Sequence, residues 1–309
     1  MEIKGLTGVQ ENVPLALLTA FKIGGPARYF YTAKTKEDVI RAVKVVREVG
    51  LPFFILGGGS NLLVADKGFA GLVMQIKGQK SGIKDGKIIA EAGVLLGEVV
   101  VDSIQAGLAG LEWAVGIPGT VGGAVFGNAG AFGHHFSETV EKVEILDENN
   151  MTRLFLVSDC RFGYRESIFE EKPWVILEVT LKLKKGDPSE SQRLVQEYLV
   201  RRQVPPYPSA GSIFKNLEVG GLRLEARKMI PKEKIKGGMV PTAYLIEECG
   251  LKGRKIGGAK ISKEHANMIV NLGEAKAKDV VALIELCREK VKERFKIELE
   301  EEIRYVGEF

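Results

Sequence analysis

The sequence predicts an α+β protein, and three observations carry that prediction. Strand-like alternation fills the middle of the chain at 140–146, 152–157 and 174–183, the pattern of antiparallel sheet with few helices. The glycine turn GGGSN at 57–61 runs into more strand, at 62–64 and 72–76, where a helix would be needed for a doubly wound nucleotide fold. After the proline cluster Pro205-Pro206-Tyr207-Pro208, helices (242–248 and 279–295) alternate with short strands (266–270 and 303–306).

Each element has its own signal. Residues 35–50 carry Val39, Val43 and Val46 at helical spacing, with Thr35 as a candidate cap, Asp38 in the first turn and Gly50 at the close. The apolar run 52–56 is a short strand ending in the glycine turn. Residues 87–90 form a strand, and a helix through Leu95, Val99 and Ile104 stops near Gly107. A glycine-rich apolar stretch, GIPGTVGGAVFGNAGAFG at 116–133, reads as turn. A polar helix at 190–202 leads into the proline cluster, where a domain boundary is placed.

Composition narrows the function classes. The chain has 309 residues, 45% hydrophobic and 27% charged, which suits two or three globular subdomains. Net charge is +4, from 44 basic and 40 acidic residues interleaved along the chain, so nucleic acid is not an expected partner. The N-terminal stretch is broken by Glu11, Asn12 and Pro14, and neither a signal peptide nor a membrane-inserted segment is expected. Cys160, Cys249 and Cys287 are odd in number and far apart. They read as reduced thiols of a cytoplasmic protein, with no metal site. The adjacent His134 and His135 would face opposite sides of a strand, which also argues against a metal pair.

A Rossmann site is disfavoured because the third glycine and the helix are missing after the first turn, and no GxxxxGK[ST] run exists. The two glycine-dense turns, 57–61 and 116–130, can instead wrap a pyrophosphate through main-chain N–H groups. Their candidate cofactor contacts are Gly57, Gly58, Gly59, Ser60 and Asn61, then Gly116, Pro118, Gly119, Thr120, Gly122, Gly123, Asn128 and Gly130. Ser212, in SAGSIFKN, follows the proline cluster and is a candidate proton donor. Arg165, in FGYRES, offers a permanently charged fork to a carboxylate. Glu302 lies in LEEEIRYVG, whose other acids, Glu300 and Glu301, read as a solvated run.

Read in order, TAFKIGGPAR, LGGGSNLLV, GLEWAVGIPGTVGGAVFGNAGAFG, CRFGYRES, PSAGSIFKN, GLKGRKIGGAKISKEHANMIVN and LEEEIRYVG resemble the UDP-N-acetylenolpyruvoylglucosamine reductase (MurB) family, in its smaller, type II-like form. The resemblance spans nearly the whole chain. It implies a two-subdomain FAD-binding fold of the p-cresol methylhydroxylase/vanillyl-alcohol oxidase type (1–77 and 78–200), followed by an α+β substrate-binding domain (201–309).

Noncovalent FAD is expected, because no histidine precedes His134. The implied reaction is NADPH-dependent reduction of UDP-N-acetylglucosamine enolpyruvate to UDP-N-acetylmuramate, a step of peptidoglycan precursor synthesis. By motif, Arg165 and Glu302 polarise the substrate and Ser212 protonates it. Tyr164, Lys215, Asn216 and His265 fall in motifs that suggest substrate or nicotinamide contacts. Leu217 and Glu301 stand where family motifs commonly carry proline. The alternative is another flavin oxidoreductase of this superfamily acting on a sugar or lactone, which would share the glycine turns but not Ser212 with Glu302.

Overall fold

The computed structural model describes residues 3, 5–78, 80–202 and 204–309. Met1, Glu2 and Lys4 of the N-terminal stretch lie outside the described residues, as does Gln203 beside the proline cluster. The chain forms two compact units, one of 1–13, 28–58 and 70–202, the other of 14–27, 59–69 and 203–309. Where the sequence draws contiguous boundaries at 77 and 200, each unit is assembled from separated stretches.

Among the described residues, the first unit holds two larger sheets and two two-stranded ones. One has four strands in the order Gln10–Pro14, Pro26–Ala33, Phe69–Ile76 and Phe53–Leu56, the last two parallel. Helix α1 (Lys36–Glu48) begins where Thr35 accepts a hydrogen bond from the Asp38 N–H, as the capping pattern predicts. It buries Val39, Ala42, Val43 and Val46. These side chains share one apolar cluster with Leu72 and Met74 of the sheet.

The other sheet is the antiparallel one expected from the middle of the chain. Its five strands run in the order Thr152–Leu156, Val140–Leu146, Val175–Lys182, Lys87–Glu91 and Ser81–Lys84. Alternation puts Val143, Ile145, Val179 and Leu181 in a second cluster with helix α2 (Leu96–Gln105) and Phe136. Phe136 is fully buried and meets Trp113 edge-on at 6.5 Å between ring centroids. Its replacement by alanine is expected to destabilise this unit by about 3–5 kcal/mol, read as a lowered urea midpoint.

The glycine-rich stretch departs from its reading as turn, since it contains a short helix, α3 (Val121–Phe126). Two glycines lower helix propensity there. Tertiary contacts offset that cost: the Gly122 N–H donates to Ala92 O at 2.9 Å, and Thr120 caps the helix through the Gly123 N–H. Helix α4 (Pro188–Arg201), with proline in its first turn and Asp187 as cap, closes the unit.

In the second unit, α5 (Leu224–Lys228), α6 (Thr242–Glu248) and α7 (Ala277–Phe295) accompany short strands. Lys255–Ile256, Ala259–Ile261 and Ile269–Asn271 make a three-stranded antiparallel sheet. Arg304–Val306 pairs in parallel with Leu62–Val64, joining stretches far apart in sequence. The core gathers Leu283, Ile284 and Val291 of α7 with Phe214, Ile213 and Leu63. Among the described residues, no helix is long and apolar enough to cross a membrane.

Candidate active site

In the first unit, the two glycine turns pack closely against each other. A Cβ on Gly57 would stand 2.6 Å from Thr120 Oγ1, and one on Gly58 would stand 2.6 Å from the Gly119 Cα. Side chains are therefore excluded at Gly57 and Gly58, the first turn's side of the contact. Gly116 and Gly119 adopt φ of +70° and +127°, which glycine tolerates and other residues resist. Pro118, between them, fixes its own φ and stiffens the turn.

Arg165 stands on a tight turn closed by the Gly163 N–H on Glu166 O at 3.0 Å, with its own φ at +59°. Three ties bind this turn to the second glycine stretch. Arg165 Nη2 donates to Gly130 O at 2.5 Å, Asn128 Nδ2 donates to Gly163 O at 2.7 Å, and Ser167 Oγ donates to Phe126 O at 2.5 Å. A Cβ on Gly130 would fall 2.7 Å from Arg165 Nη1, so glycine at 130 makes room for the guanidinium. Tyr164 lies beneath it, with 5.1 Å from the guanidinium carbon to the ring centre.

Asn128, read from the sequence as a cofactor contact, has a buried carboxamide whose oxygen also accepts from the Ser137 N–H at 3.0 Å. Its side chain orders the Arg165 turn, which leaves its backbone as the part able to meet a ligand.

In the second unit, Ser212 and Glu302 are carried on neighbouring extended segments. The Glu302 N–H donates to Ile213 O at 2.7 Å, and the Lys215 N–H donates to Glu300 O at 2.8 Å. Asn61 joins them from the first glycine motif: its Nδ2 donates to Glu302 O at 2.9 Å, and its backbone oxygen accepts from the Arg304 N–H at 3.0 Å. Gly59, with φ of +64°, leaves no room for a Cβ against Leu18 O, and Ser60 lies between it and Asn61.

The further candidates divide by role. Lys215 is largely buried and pairs with Glu300 at 2.6 Å. Asn216 Oδ1 accepts from the Thr242 N–H at 3.1 Å and so caps α6. His265 begins the turn into Asn267 and Met268, with its backbone oxygen accepting from the Met268 N–H at 2.9 Å. Burial pushes its imidazole below the ordinary histidine range, so it is neutral at pH 7.

Two features escaped the sequence reading. Asn267, 2% exposed, clamps the backbone of Phe214 from both sides, accepting from its N–H at 3.0 Å and donating to its oxygen at 2.8 Å. The signal was present in HANMIVN, where a polar amide interrupts an apolar run. Glu301 is the second, and here the expected solvated acid is corrected. Its side chain is 13% exposed and pairs with Arg288 of α7 at 3.1 Å, whereas Glu300 is 66% exposed as expected.

Comparison with known proteins gives this geometry its context. Residues 27–153 match the model of an FAD binding domain, and residues 203–306 match that of the UDP-N-acetylenolpyruvoylglucosamine reductase C-terminal domain. A curated UDP-N-acetylenolpyruvoylglucosamine reductase from Caldanaerobacter subterraneus is 41% identical, over 96% of this chain and 93% of that protein. The chain belongs to the UDP-N-acetylenolpyruvoylglucosamine reductase family. The family's reductase from Solibacter usitatus is 39% identical, over 97% of both chains. The crystal structure of the family member from Thermus caldophilus superimposes with a TM-score of 0.77 at 35% identity, covering 96% of this chain and 98% of that one.

Membership implies FAD, and the residues fit it. Where Gly57 and Gly58 meet Gly119 and Thr120, three of the four residues carry no side chain, which suits close approach to a dinucleotide pyrophosphate. Gly58→Ala would drive a Cβ into the Gly119 backbone, a cost of about 1–3 kcal/mol. The expected result is protein purified with a reduced FAD content and an FAD affinity lowered about 10–100-fold. Absorbance and fluorescence titration check both.

Proposed function

We propose that the chain reduces UDP-N-acetylglucosamine enolpyruvate to UDP-N-acetylmuramate, with NADPH as the source of hydride and noncovalent FAD as its carrier. The observation that carries this reading is the pairing of the Ser212 and Glu302 segments, with Asn61 of the first glycine motif bonded to the backbone of Glu302. That pairing supports assigning a proton donor and an acid to one scaffold. In this reading, 1–77 and 78–200 serve as the FAD-binding subdomains and 201–309 holds the nucleotide sugar. The glycine-turn residues named above are assigned to FAD, while Tyr164, Lys215, Asn216 and His265 are assigned to substrate or nicotinamide. NADPH and a nucleotide sugar as substrates place the reaction in the cytoplasm.

Bound FAD supplies hydride transfer from NADPH to the enolpyruvyl carbon. The chain's own residues manage charge and the proton. Hydride addition at the β-carbon leaves negative charge on the α-carbon and the attached carboxylate. Arg165, held in place before the reaction, offers its planar fork to that charge. Glu302 contributes a carboxyl group to the same task. Ser212 then donates its hydroxyl proton to the α-carbon, completing addition of hydrogen across the double bond. The product is a lactyl ether.

The direct check is product analysis. Incubation with NADPH and the enolpyruvyl nucleotide should yield a nucleotide heavier by two hydrogens. Oxygen consumption with an alditol, and no reduced nucleotide, would reassign the chain to a sugar or lactone oxidase.

A further inference from the structure

Residues 300–302 are three consecutive glutamates, so the local sequence alone does not say which one is set opposite Ile213, the neighbour of Ser212. In an extended segment, a slip of one residue exchanges the two faces. The structure carries a device that chooses. Leu299 and Ile303 are buried at 4% and 5%, and Glu301 takes the inward position between them. Its neighbour Glu300 points outward, and Glu302 falls on that alternate register.

An ionised carboxylate in an apolar row is unfavourable unless it is paired. Glu301 Oε1 meets Arg288 Nη1 at 3.1 Å, and the Tyr305 hydroxyl faces the same carboxylate. The other oxygen, Oε2, is buried without a hydrogen-bond partner among the described residues. The acid is therefore held through one oxygen, by the Tyr305 hydroxyl and by a guanidinium that is itself held at 3.1 Å by Glu285 on α7.

We infer that the Glu301–Arg288 pair is a register lock, a positioning device that sets Glu302, and neither of its acidic neighbours, opposite Ile213 on the segment that carries Ser212. Glu301 touches no substrate in this assignment. It acts through the segment it anchors. The bonds from Glu302 N–H to Ile213 O and from Lys215 N–H to Glu300 O are the ones that depend on it, since they flank the Phe214 and Glu301 bridge. The inference deepens the proposed function, on which its catalytic consequence rests.

Removing one partner of such a pair harms more than replacing both with apolar groups, and that asymmetry gives the test. Arg288→Gln leaves Glu301 inward without a cationic partner, with only the Tyr305 hydroxyl against it. Amide hydrogen exchange across 299–303 and 212–216 should then quicken about tenfold, and substrate reduction should slow to a similar degree, with flavin reduction by NADPH unchanged. Adding Glu301→Leu to Arg288→Gln puts an apolar side chain between Leu299 and Ile303. It should return exchange and substrate reduction to within about twofold of wild type.

Unchanged exchange in Arg288→Gln would overturn the inference, as would a double variant no better than the single one. Failure of the proposed function has a separate signature: wild-type protein that does not react with the enolpyruvyl nucleotide. The exchange measurement decides the register lock in that case too.

Discussion

Ser212→Ala is expected to slow reduction of the enolpyruvyl substrate by about 10²–10⁴-fold, the usual cost of losing a positioned proton donor. Flavin reduction by NADPH should continue at close to the wild-type rate, because no proton from Ser212 enters that step. The scaffold supports a clean experiment. Ser212 itself is only partly buried, and its segment is held by backbone bonds: the Ile213 N–H to Asn267 O at 2.8 Å and the Glu302 N–H to Ile213 O. Deleting one hydroxyl touches neither. Rapid-mixing measurement of each half-reaction separates the outcomes, and equal slowing of both would remove Ser212 from the role of proton donor.

Arg165→Lys should be nearly as damaging, with substrate reduction down about 10²–10³-fold, as when one preorganised oxyanion contact is lost. Charge is conserved in this substitution, so the loss isolates geometry. A lysine ammonium is a single point charge that cannot donate to Gly130 O and also present a flat fork to a carboxylate. It also gives up the guanidinium's position over the Tyr164 ring, 5.1 Å from its centre. The residue is set on a left-handed turn held by Asn128 and Ser167, so the protein fixes the guanidinium before substrate arrives. Steady-state and half-reaction rates check the prediction, and near-normal turnover of the lysine variant would take Arg165 out of the site.

Much of this was readable from local pattern where local physics decides the outcome. Thr35 caps α1 as its spacing indicates, and the alternation at 140–146 and 174–183 became the central antiparallel strands. Where distant contacts decide, the pattern fell silent. The helix at Val121–Phe126 is glycine-rich and poor in propensity, and forms because Ala92 and Thr120 receive its first turn. Pairing of Arg304–Val306 with Leu62–Val64 links stretches that no window can compare.

The site was legible as a set of motifs and less so as a set of roles. Asn128 stands in a phosphate-like glycine turn, yet its carboxamide serves the Arg165 turn. Asn216 and Asn61 similarly spend side-chain atoms on the start of α6 and on the backbone of Glu302. An amide in a motif does not reveal whether it faces a ligand or a neighbouring strand. Glu301 was hidden for a related reason. A run of three acids looks solvated until α7 is seen to place Arg288 against the middle one.

In the proposed reaction, hydride passes through a bound flavin to the enolpyruvyl carbon under the control of Arg165, Glu302 and Ser212. Anaerobic stopped-flow spectroscopy tests it most directly: the oxidised-flavin band is followed after mixing with NADPH, then after adding UDP-N-acetylglucosamine enolpyruvate. Bleaching by NADPH and full recovery on adding the nucleotide, without oxygen, is the expected outcome. A flavin that bleaches and stays bleached in the presence of that nucleotide would contradict it.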